Sequence, residues 1–294
     1  AFQAFLDANA FNSLNDVPTS LLEKVLLNHV ISGRLRSGDL STGFTNTLAE
    51  SDASGENMSI YINTSGGVTF NGISTVINAN IETANGVIHE VNNVIGLPTI
   101  VDLAAAANGT SSLVAAVTAA DLTTTLSGNG PFTVLAPTND AFSQFLTDNN
   151  FTELGDVPVP LLTQVLLNHV VSGSLQSTDL STGYESTLAT SEASNTNMSL
   201  YVDTSNGVSF NGVSSVDAAN INANNGVIHL VDAVISLPTV VTFATADPTF
   251  STLVTALTTE TPATDFAAIL SRTATGNMDN IDPNFTVFAP TNDA

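Results

Sequence analysis

The segment LLTQVLLNHVVSG at residues 161–173 has a near-copy, LLEKVLLNHVISG, at residues 21–33. In both copies leucine and valine recur every three or four residues, which is the spacing of one face of an α-helix. The helical spacing ends at the Ser-Gly pair, beyond which short runs of apolar and polar residues alternate. The segment therefore predicts a helix that leads directly into a β-sheet.

Comparison of the chain with itself extends this pair into a long internal repeat. Residues 1–98 align without a gap on residues 141–238, and 59 of these 98 positions are identical. A further match joins TVLAPTNDA at 133–141 to TVFAPTNDA at 286–294. The period of about 140 residues has the size of a domain and exceeds that of a solenoid repeat.

The repeat divides the chain into three parts. A complete repeat occupies residues 99–238, the C-terminal two-thirds of a repeat precede it at 1–98, and the N-terminal third of a repeat follows at 239–294. Because the sequence begins and ends within a repeat, we expect it to be a segment of a longer tandem array. Pro98 and Pro238 join successive repeats without a Gly/Ser linker, so we expect adjacent domains to dock at a fixed angle.

Within one period, helices are expected first and strands afterwards. Two Ala/Leu-rich segments between residues 99 and 126 have helical spacing, and PFTVLAP at 131–137 is a short apolar run typical of a buried strand. Asn139 or Asp140 would cap the helix that follows. Beyond Val170, alternating segments separated by Asn-Gly and Gly-Gly turns indicate an antiparallel meander. The predicted fold class is α+β.

The charge balance excludes several classes of partner. The 294 residues include 27 acids but only four basic residues, giving a formal net charge of −23. Nucleic-acid binding needs lysine and arginine to replace the counterions of phosphates, so we expect no nucleic-acid partner. Cysteine is absent, which excludes disulfides and thiolate metal sites. No apolar run reaches the ~18 residues of a membrane span, so we expect no membrane insertion of this segment.

Three segments of the complete repeat resemble the signature elements of fasciclin-like domains. They are TVLAPTNDAF (133–142), LLTQVLLNHVVSG (161–173) and NGVIHLVDAVI (225–235), which occur in the family's order. The resemblance implies a compact β-wedge or sandwich of about seven strands with a helical cap, in tandem. It also implies a secreted or surface-anchored protein of adhesion, matrix or biofilm, without common catalytic machinery. The acidic, cysteine-free composition favours a bacterial source.

The histidines are the candidate interaction residues. Many members of the family carry Tyr-His where this chain has Asn-His, so receptor binding associated with the tyrosine form is not carried over. One interpretation is a ligand-binding or pH-sensitive site, and the favoured one is a set of partly buried imidazoles that bind backbone between helix and sheet. The interaction or structural candidates are Asn28, His29, His89, Asn168, His169 and His229.

Neither catalysis nor a dedicated cofactor is expected. No G-x-S-x-G elbow occurs, and no Ser–His–acid trio follows from spacing. Asp279 and Asp282 in GNMDNIDPN are a weak calcium candidate, because the full Asp-x-Asp-x-Asp-Gly pattern is missing and Asp and Asn are ordinary turn formers. Diffuse divalent cations bridging acidic surfaces are a more general alternative.

Three functional hypotheses remain open. The first is a non-enzymatic structural or adhesive protein, outside the cell or on its surface, built as a rigid array or fibre of neighbouring repeats. The second is a module that binds a cell-surface glycan or protein, which the absence of tryptophan disfavours because sugars stack on aromatic rings. The third is a filament subunit in which residues 239–294 of one copy complete residues 1–98 of another.

Overall fold

The computed structural model describes residues 1–259, 264–272 and 284–294. Its α-helices are α1 (Phe2–Ala8), α2 (Thr19–Leu27), α3 (Ile100–Ala106), α4 (Ser111–Ala119), α5 (Thr123–Leu126), α6 (Asn139–Asp148), α7 (Val159–Asn168), α8 (Val240–Ala246), α9 (Ser251–Thr258) and α10 (Phe266–Leu270). Its β-strands are β1 (Gly43–Glu50), β2 (Asn57–Asn63), β3 (Thr69–Phe70), β4 (Ser74–Glu82), β5 (Val87–Val91), β6 (Phe132–Pro137), β7 (Val170–Ser172), β8 (Gly183–Thr190), β9 (Asn197–Asp203), β10 (Ser209–Phe210), β11 (Ser214–Ala223) and β12 (Gly226–Val231). The α+β class is confirmed, with the predicted seven strands in the complete repeat.

The complete repeat forms a closed barrel in the strand order β10-β11-β12-β6-β7-β8-β9. Six neighbouring pairs are antiparallel, as the meander predicted, but β6 and β12 run parallel. A closed ring of seven strands cannot alternate in direction all the way round, so one pair must be parallel. Strands β7–β12 form the antiparallel meander predicted beyond Val170, and the parallel pair involves β6, whose direction the sequence analysis did not predict.

Alternate residues of β6 enter two separate cores. Val134 and Ala136 belong to the core between the barrel and its helical cap, which also contains Leu103 of α3 and Leu166 of α7. Leu135 points the other way, into the core inside the barrel. Since side chains alternate across a strand, a single buried strand supplies both cores.

The start of α6 differs from the prediction. Thr138, and neither Asn139 nor Asp140, is the N-cap, and its side chain accepts a hydrogen bond from the Ala141 N–H at 3.3 Å. Asn139 instead binds the start of α4, where its Oδ1 accepts from the Ser112 N–H at 2.9 Å. Asp140 lies in the first turn, where a negative charge favours the helix dipole.

Residues 1–98 form an open version of the same sheet. Their five strands follow the order β1-β2-β3-β4-β5 and correspond one by one to β8–β12 of the complete repeat. Residues 30–32, which align with β7, form no strand, and residues 1–98 include no residues that align with β6. The Leu48 N–H of β1 still donates to the Val30 carbonyl at 2.9 Å, and in the described residues β5 pairs with β4.

Among the described residues, no single helix has the length and apolar composition to cross a membrane. Two bent pairs, Ile100–Ala106 with Asn108–Ala119 and Val240–Ala246 with Pro248–Thr258, meet these requirements only when taken together.

We expect Leu135→Ala to lower the free energy of unfolding of the complete repeat by about 2–5 kcal/mol, because it opens a cavity inside the barrel. Leu135 is 1% exposed. The control is Val213→Ala, which changes a side chain that is 58% exposed and should cost under about 0.5 kcal/mol. Urea unfolding measures both, and equal costs would show that β6 does not build the inner core.

Candidate functional site: the buried histidines and the repeat junctions

Asn168 and His169 close the end of α7 against the segment that follows β12. Asn168 Nδ2 donates to the carbonyls of Ile235 and Ser236, both at 3.2 Å, and its Oδ1 accepts from the Thr187 hydroxyl at 3.3 Å. The side chain is fully buried and uses both ends of its amide. It therefore ties a helix end, a strand and the exit of the repeat together.

His169 is 1% exposed and binds backbone with both ring nitrogens. Its Nδ1 lies 2.7 Å from the Val165 carbonyl oxygen, and its Nε2 accepts from the Ile235 N–H at 2.8 Å. A carbonyl can only accept and an N–H can only donate, so these partners fit the neutral tautomer protonated on Nδ1. Burial lowers the pKa of His169 to about 4.

The part-repeat at residues 1–98 contains the same arrangement. Asn28 Nδ2 donates to the Ile95 and Gly96 carbonyls at 3.3 and 2.9 Å. His29 lies 2.7 Å from the Val25 carbonyl and accepts from the Ile95 N–H at 2.9 Å. The Asn-His pair thus makes one conserved set of contacts in both copies.

His229 and His89 lie on the last strand of their sheets. His229 Nε2 is 2.9 Å from the Leu175 carbonyl oxygen, and its Nδ1 accepts from the Asn220 N–H at 3.4 Å. Burial lowers the pKa of His229. His89 Nε2 is likewise 2.9 Å from the Leu35 carbonyl oxygen. The two histidine positions thus bind different backbone segments, and a role for the six candidates in recognition stays a prediction.

The calcium candidates Asp279 and Asp282 lie outside the described residues. Within the three described stretches, no group of three or more His, Cys, Asp or Glu side chains is placed to hold a metal ion.

The first repeat junction contains contacts that the sequence analysis missed. Phe44 and Tyr61 pack edge to face, with ring centroids 4.9 Å apart, and Phe44 also packs against the cap core of the next repeat. The Tyr61 hydroxyl accepts from the Asn108 N–H at 3.4 Å. The strand pair β1–β2 of one repeat is thus bound to the first helical turns of the next.

Hydrogen bonds from serines extend this junction to β11. Ser51 Oγ donates to the Ala223 carbonyl at 2.6 Å, and Ser59 Oγ accepts from the Asn222 N–H at 3.0 Å. Both serines are buried. The first repeat therefore contacts both the helical cap and the sheet of the second repeat.

The second junction repeats the aromatic part of the first. Tyr184 and Tyr201 occupy the positions of Phe44 and Tyr61, with centroids 5.1 Å apart. Tyr184 also packs edge-on against Phe243 of α8 at 5.4 Å. The same two strands of a repeat meet the first helix of its neighbour at both junctions.

A hydrogen bond adds to the second junction. The Tyr184 hydroxyl donates to Asp247 Oδ2 at 3.0 Å. Burial raises the pKa of Asp247, but hydrogen bonds from Thr249 and Tyr184 outweigh burial and hold that pKa below its usual value. Burial, followed by the bond to Asp247, raises the pKa of Tyr184. The pair is therefore ionised at Asp247 and neutral at Tyr184 over the ordinary pH range.

One signal could have revealed the junctions. All three tyrosines of the chain, Tyr61, Tyr184 and Tyr201, lie there. Tyrosine combines an apolar ring with a polar hydroxyl and is enriched at interfaces for that reason.

A seven-stranded barrel with a helical cap, docked on its neighbour through a repeated surface, defines a protein of tandem globular domains. The sequence profile of the Fasciclin domain matches residues 1–98 and 108–238. The chain therefore belongs to the Fasciclin domain family, as the three signature segments indicated.

Proteins similar to this chain include bacterial and mammalian ones. Protein sll1483 of Synechocystis sp. (strain ATCC 27184 / PCC 6803 / Kazusa) is 39% identical over 140 residues, which cover 48% of this chain and 74% of that protein. Transforming growth factor-beta-induced protein ig-h3 of Sus scrofa is 28% identical over 78% of this chain and 32% of that protein. Periostin of Homo sapiens is 28% identical over 78% of this chain and 26% of that protein. The chain thus spans a third or less of these two mammalian proteins.

A solved structure also aligns with the chain. It is a FAS1 domain pair from the insect cell adhesion molecule Fasciclin I, with 15% identity and a TM-score of 0.47. The alignment covers 80% of this chain and 85% of that chain.

We expect the stability of the complete repeat to fall as the pH drops from about 6.5 to 4. In this window His169 becomes protonated in the unfolded chain but stays neutral in the folded chain, because a proton on Nε2 would clash with the Ile235 N–H that now donates to it. The contribution of neutral His169 to the free energy of unfolding is fully present above pH 6.5. Roughly 3 kcal/mol of it is lost by pH 4.

Urea unfolding at several pH values, compared with His169→Gln, isolates this contribution from that of the many carboxylates. The variant should show a shallower loss of stability across the window, whatever its absolute stability. Identical slopes for the two chains would contradict a buried neutral imidazole.

Proposed function

We propose that the chain is part of a non-enzymatic protein, outside the cell or on its surface, in which Fasciclin domains form a stiff array for adhesion or matrix assembly. Membership of the Fasciclin domain family supports a general role in adhesion. The repeated junction is the observation that carries the more specific proposal of a stiff array. The proposed partners are neighbouring copies of the chain in an acidic matrix. The array requires no dedicated cofactor.

The first junction restricts rotation because it binds two different elements of the next repeat. Tyr61 binds the helical cap of the next repeat, whereas Ser51 and Ser59 bind its sheet. A hinge between the domains would have to break these bonds, each of which stabilises the junction by about 0.5–1.5 kcal/mol. The contacts therefore favour one orientation.

The connecting chain is itself held in place. Pro98 is buried, and its carbonyl accepts from the Asn224 N–H at 2.8 Å. Thr99 follows directly as the N-cap of α3, where it shares a capping box with Asp102. Thr239 caps α8 in the same way after Pro238. A flexible tether has none of these features, so the connection fixes the orientation of each repeat relative to the next.

The negative charge of the array controls the lateral association of one array with another. Residues 99–238 contain no Lys or Arg, so acidic surfaces of neighbouring arrays repel at low ionic strength. Divalent cations that bridge these surfaces diffusely would allow lateral assembly in a matrix. This bridging belongs to the proposal and requires no dedicated site.

Spin labels test the stiffness directly, because the chain has no cysteine of its own. With labels at Glu23→Cys and Glu192→Cys, on either side of the first junction, we expect a narrow distance distribution by double electron–electron resonance. Adding Tyr61→Ala with Ser59→Ala should broaden it, because both points of attachment lose a bond.

The matched control is Tyr201→Ala, which removes the equivalent ring at the second junction and should leave the distribution across the first junction unchanged. A broad distribution in the labelled parent chain would refute the stiff array.

A further inference from the structure

The two repeat junctions share one architecture but carry different residues at three equivalent positions. One position lies on the strand pair of the preceding repeat, and the other two are consecutive residues at the end of the first cap helix. The first junction has Phe44, Ala107 and Asn108 at these positions, and the second has Tyr184, Asp247 and Pro248. We call the first three residues the Phe set and the second three the Tyr set.

In the first junction, the polar contact between strands and cap is made by Tyr61. Its hydroxyl accepts from the Asn108 N–H at 3.4 Å, while the wholly apolar ring of Phe44 packs against the cap core. Ala107, which holds the position of Asp247, is 7% exposed. The Phe set therefore combines two apolar side chains with one backbone donor.

In the second junction, the cap cannot offer that donor, because proline has no backbone N–H. The polar contact lies instead at the other ring of the strand pair, where the Tyr184 hydroxyl donates to Asp247 Oδ2 at 3.0 Å. Asp247 is 7% exposed, like its counterpart Ala107. A donor lost at Pro248 thus coincides with a hydroxyl gained at Tyr184 and an acceptor gained at Asp247.

Further contacts fix the geometry of the Tyr184–Asp247 pair. Asp247 Oδ1 accepts from the Thr249 N–H at 3.0 Å and from the Thr249 hydroxyl at 2.7 Å. The Tyr184 ring packs edge-on against Phe243 at 5.4 Å, where the complete repeat has Leu103. Both oxygens of the carboxylate and both the ring and the hydroxyl of the tyrosine therefore have partners.

A mixed combination of the two sets would leave polar groups without partners. If the cap of the Tyr set lay opposite Phe44, its carboxylate would lose the hydroxyl donor, and Tyr61 would face a proline without an N–H. If the cap of the Phe set lay opposite a tyrosine at position 44, the added hydroxyl would face Ala107. Burial of a polar group without a partner opposes docking.

We propose that the Phe set and the Tyr set are matched recognition pairs, through which the strand pair of a repeat selects the cap that docks on it. A strand pair with phenylalanine at position 44 fits a cap with Ala-Asn. A strand pair with tyrosine at that position fits a cap with Asp-Pro. The partner of this surface is thus a Fasciclin repeat with a defined pair of cap residues.

The rest of the first junction cannot make this selection. Ser51 and Ser59, which bind the sheet of the next repeat, recur unchanged as Ser191 and Ser199. A surface common to all repeats holds any neighbour equally well, whereas specificity requires a penalty for the wrong one. The two sets supply that penalty, so each cap prefers the strands of its own predecessor to those of other repeats in the same or a neighbouring array.

This selection rests on the docked junctions of the proposed array but is separable from its stiffness. A stiff array needs junctions that hold one orientation, and these junctions need not distinguish one repeat from another. A broad spin-label distribution in the parent chain would refute the array. A narrow distribution together with no coupling between positions 44 and 107 would refute the selection alone.

Grafting the Tyr set onto the first junction tests the pairing. Ala107→Asp with Asn108→Pro gives the cap of the complete repeat the residues of the Tyr set, and Pro248 begins a 3₁₀ turn at the same position as Asn108. We expect this altered cap to make the first junction open about tenfold more often, because its carboxylate lacks a donor. Adding Phe44→Tyr supplies the donor and should bring opening to within about threefold of the parent chain.

Amide hydrogen exchange of the 294-residue chain, followed residue by residue by NMR, measures this opening. The Asn222 N–H donates across the junction to Ser59 Oγ at 3.0 Å, at the sheet and not at the altered cap. It loses this partner when the repeats separate. The Ile228 N–H in the middle of β12 reports unfolding of the complete repeat and should change much less than the Asn222 N–H.

Tyr184→Phe is the matched control and also tests the Tyr set. It removes one hydroxyl at the second junction and should leave exchange of the Asn222 N–H unchanged. The pKa of Asp247 should rise, because the hydrogen bond from Tyr184 helps to hold it below its usual value. NMR titration of the carboxyl carbon measures this pKa, and an unchanged value would contradict the Tyr set.

The coupling between positions 44 and 107 decides the proposal. On the parent cap, Phe44→Tyr should speed exchange of the Asn222 N–H, whereas on the altered cap it should slow this exchange. The opposite signs are the mark of a matched pair. The same effect of Phe44→Tyr on both caps would overturn the proposal, since position 44 would then not distinguish one cap from the other.

Discussion

The parallel pairing of β6 with β12 is the contact on which the rest of the fold depends. It closes the barrel, and it places Val134 and Leu135 in two different cores. After β6 the chain forms α6, α7 and five further strands, β7–β11, before β12 returns to the side of β6. The pairing therefore joins the two ends of the repeat, and it needs Gly226 because the Phe132 backbone lies so close.

Packing and uncharged hydrogen bonds stabilise this fold, since ion pairs are scarce. Within the described residues, the ion pairs that the structure shows join Lys24 to Asp52 and Arg34 and Arg36 to Glu82, all in the part-repeat. The complete repeat has no Lys or Arg with which to form one. Buried side-chain amides and imidazoles take over the role of connecting elements, and they do so through backbone partners that exist in every repeat.

The sequence predicted local structure well, because the helical spacing around α7 and the apolar run of β6 are properties of neighbouring residues. The sequence also divided the chain into three parts. The boundaries of these parts as domains remain a prediction. It did not predict the parallel pair, since periodicity within a strand carries no information on which distant strand lies beside it. It placed the cap of α6 on Asn139 or Asp140, because it could not see that Asn139 is engaged with α4. The junction escaped notice because its partners belong to the next repeat, and the exchange of Phe44 for Tyr184 hides the equivalence.

The claim that β6 closes the barrel is tested most directly by amide hydrogen exchange on the 294-residue chain. The account predicts strong protection of Gly226–Val231 and much weaker protection of Val87–Val91, although the two strands are nearly identical in sequence. Equal protection of the two strands would contradict it, because the closing strand would then contribute nothing to the stability of its neighbour.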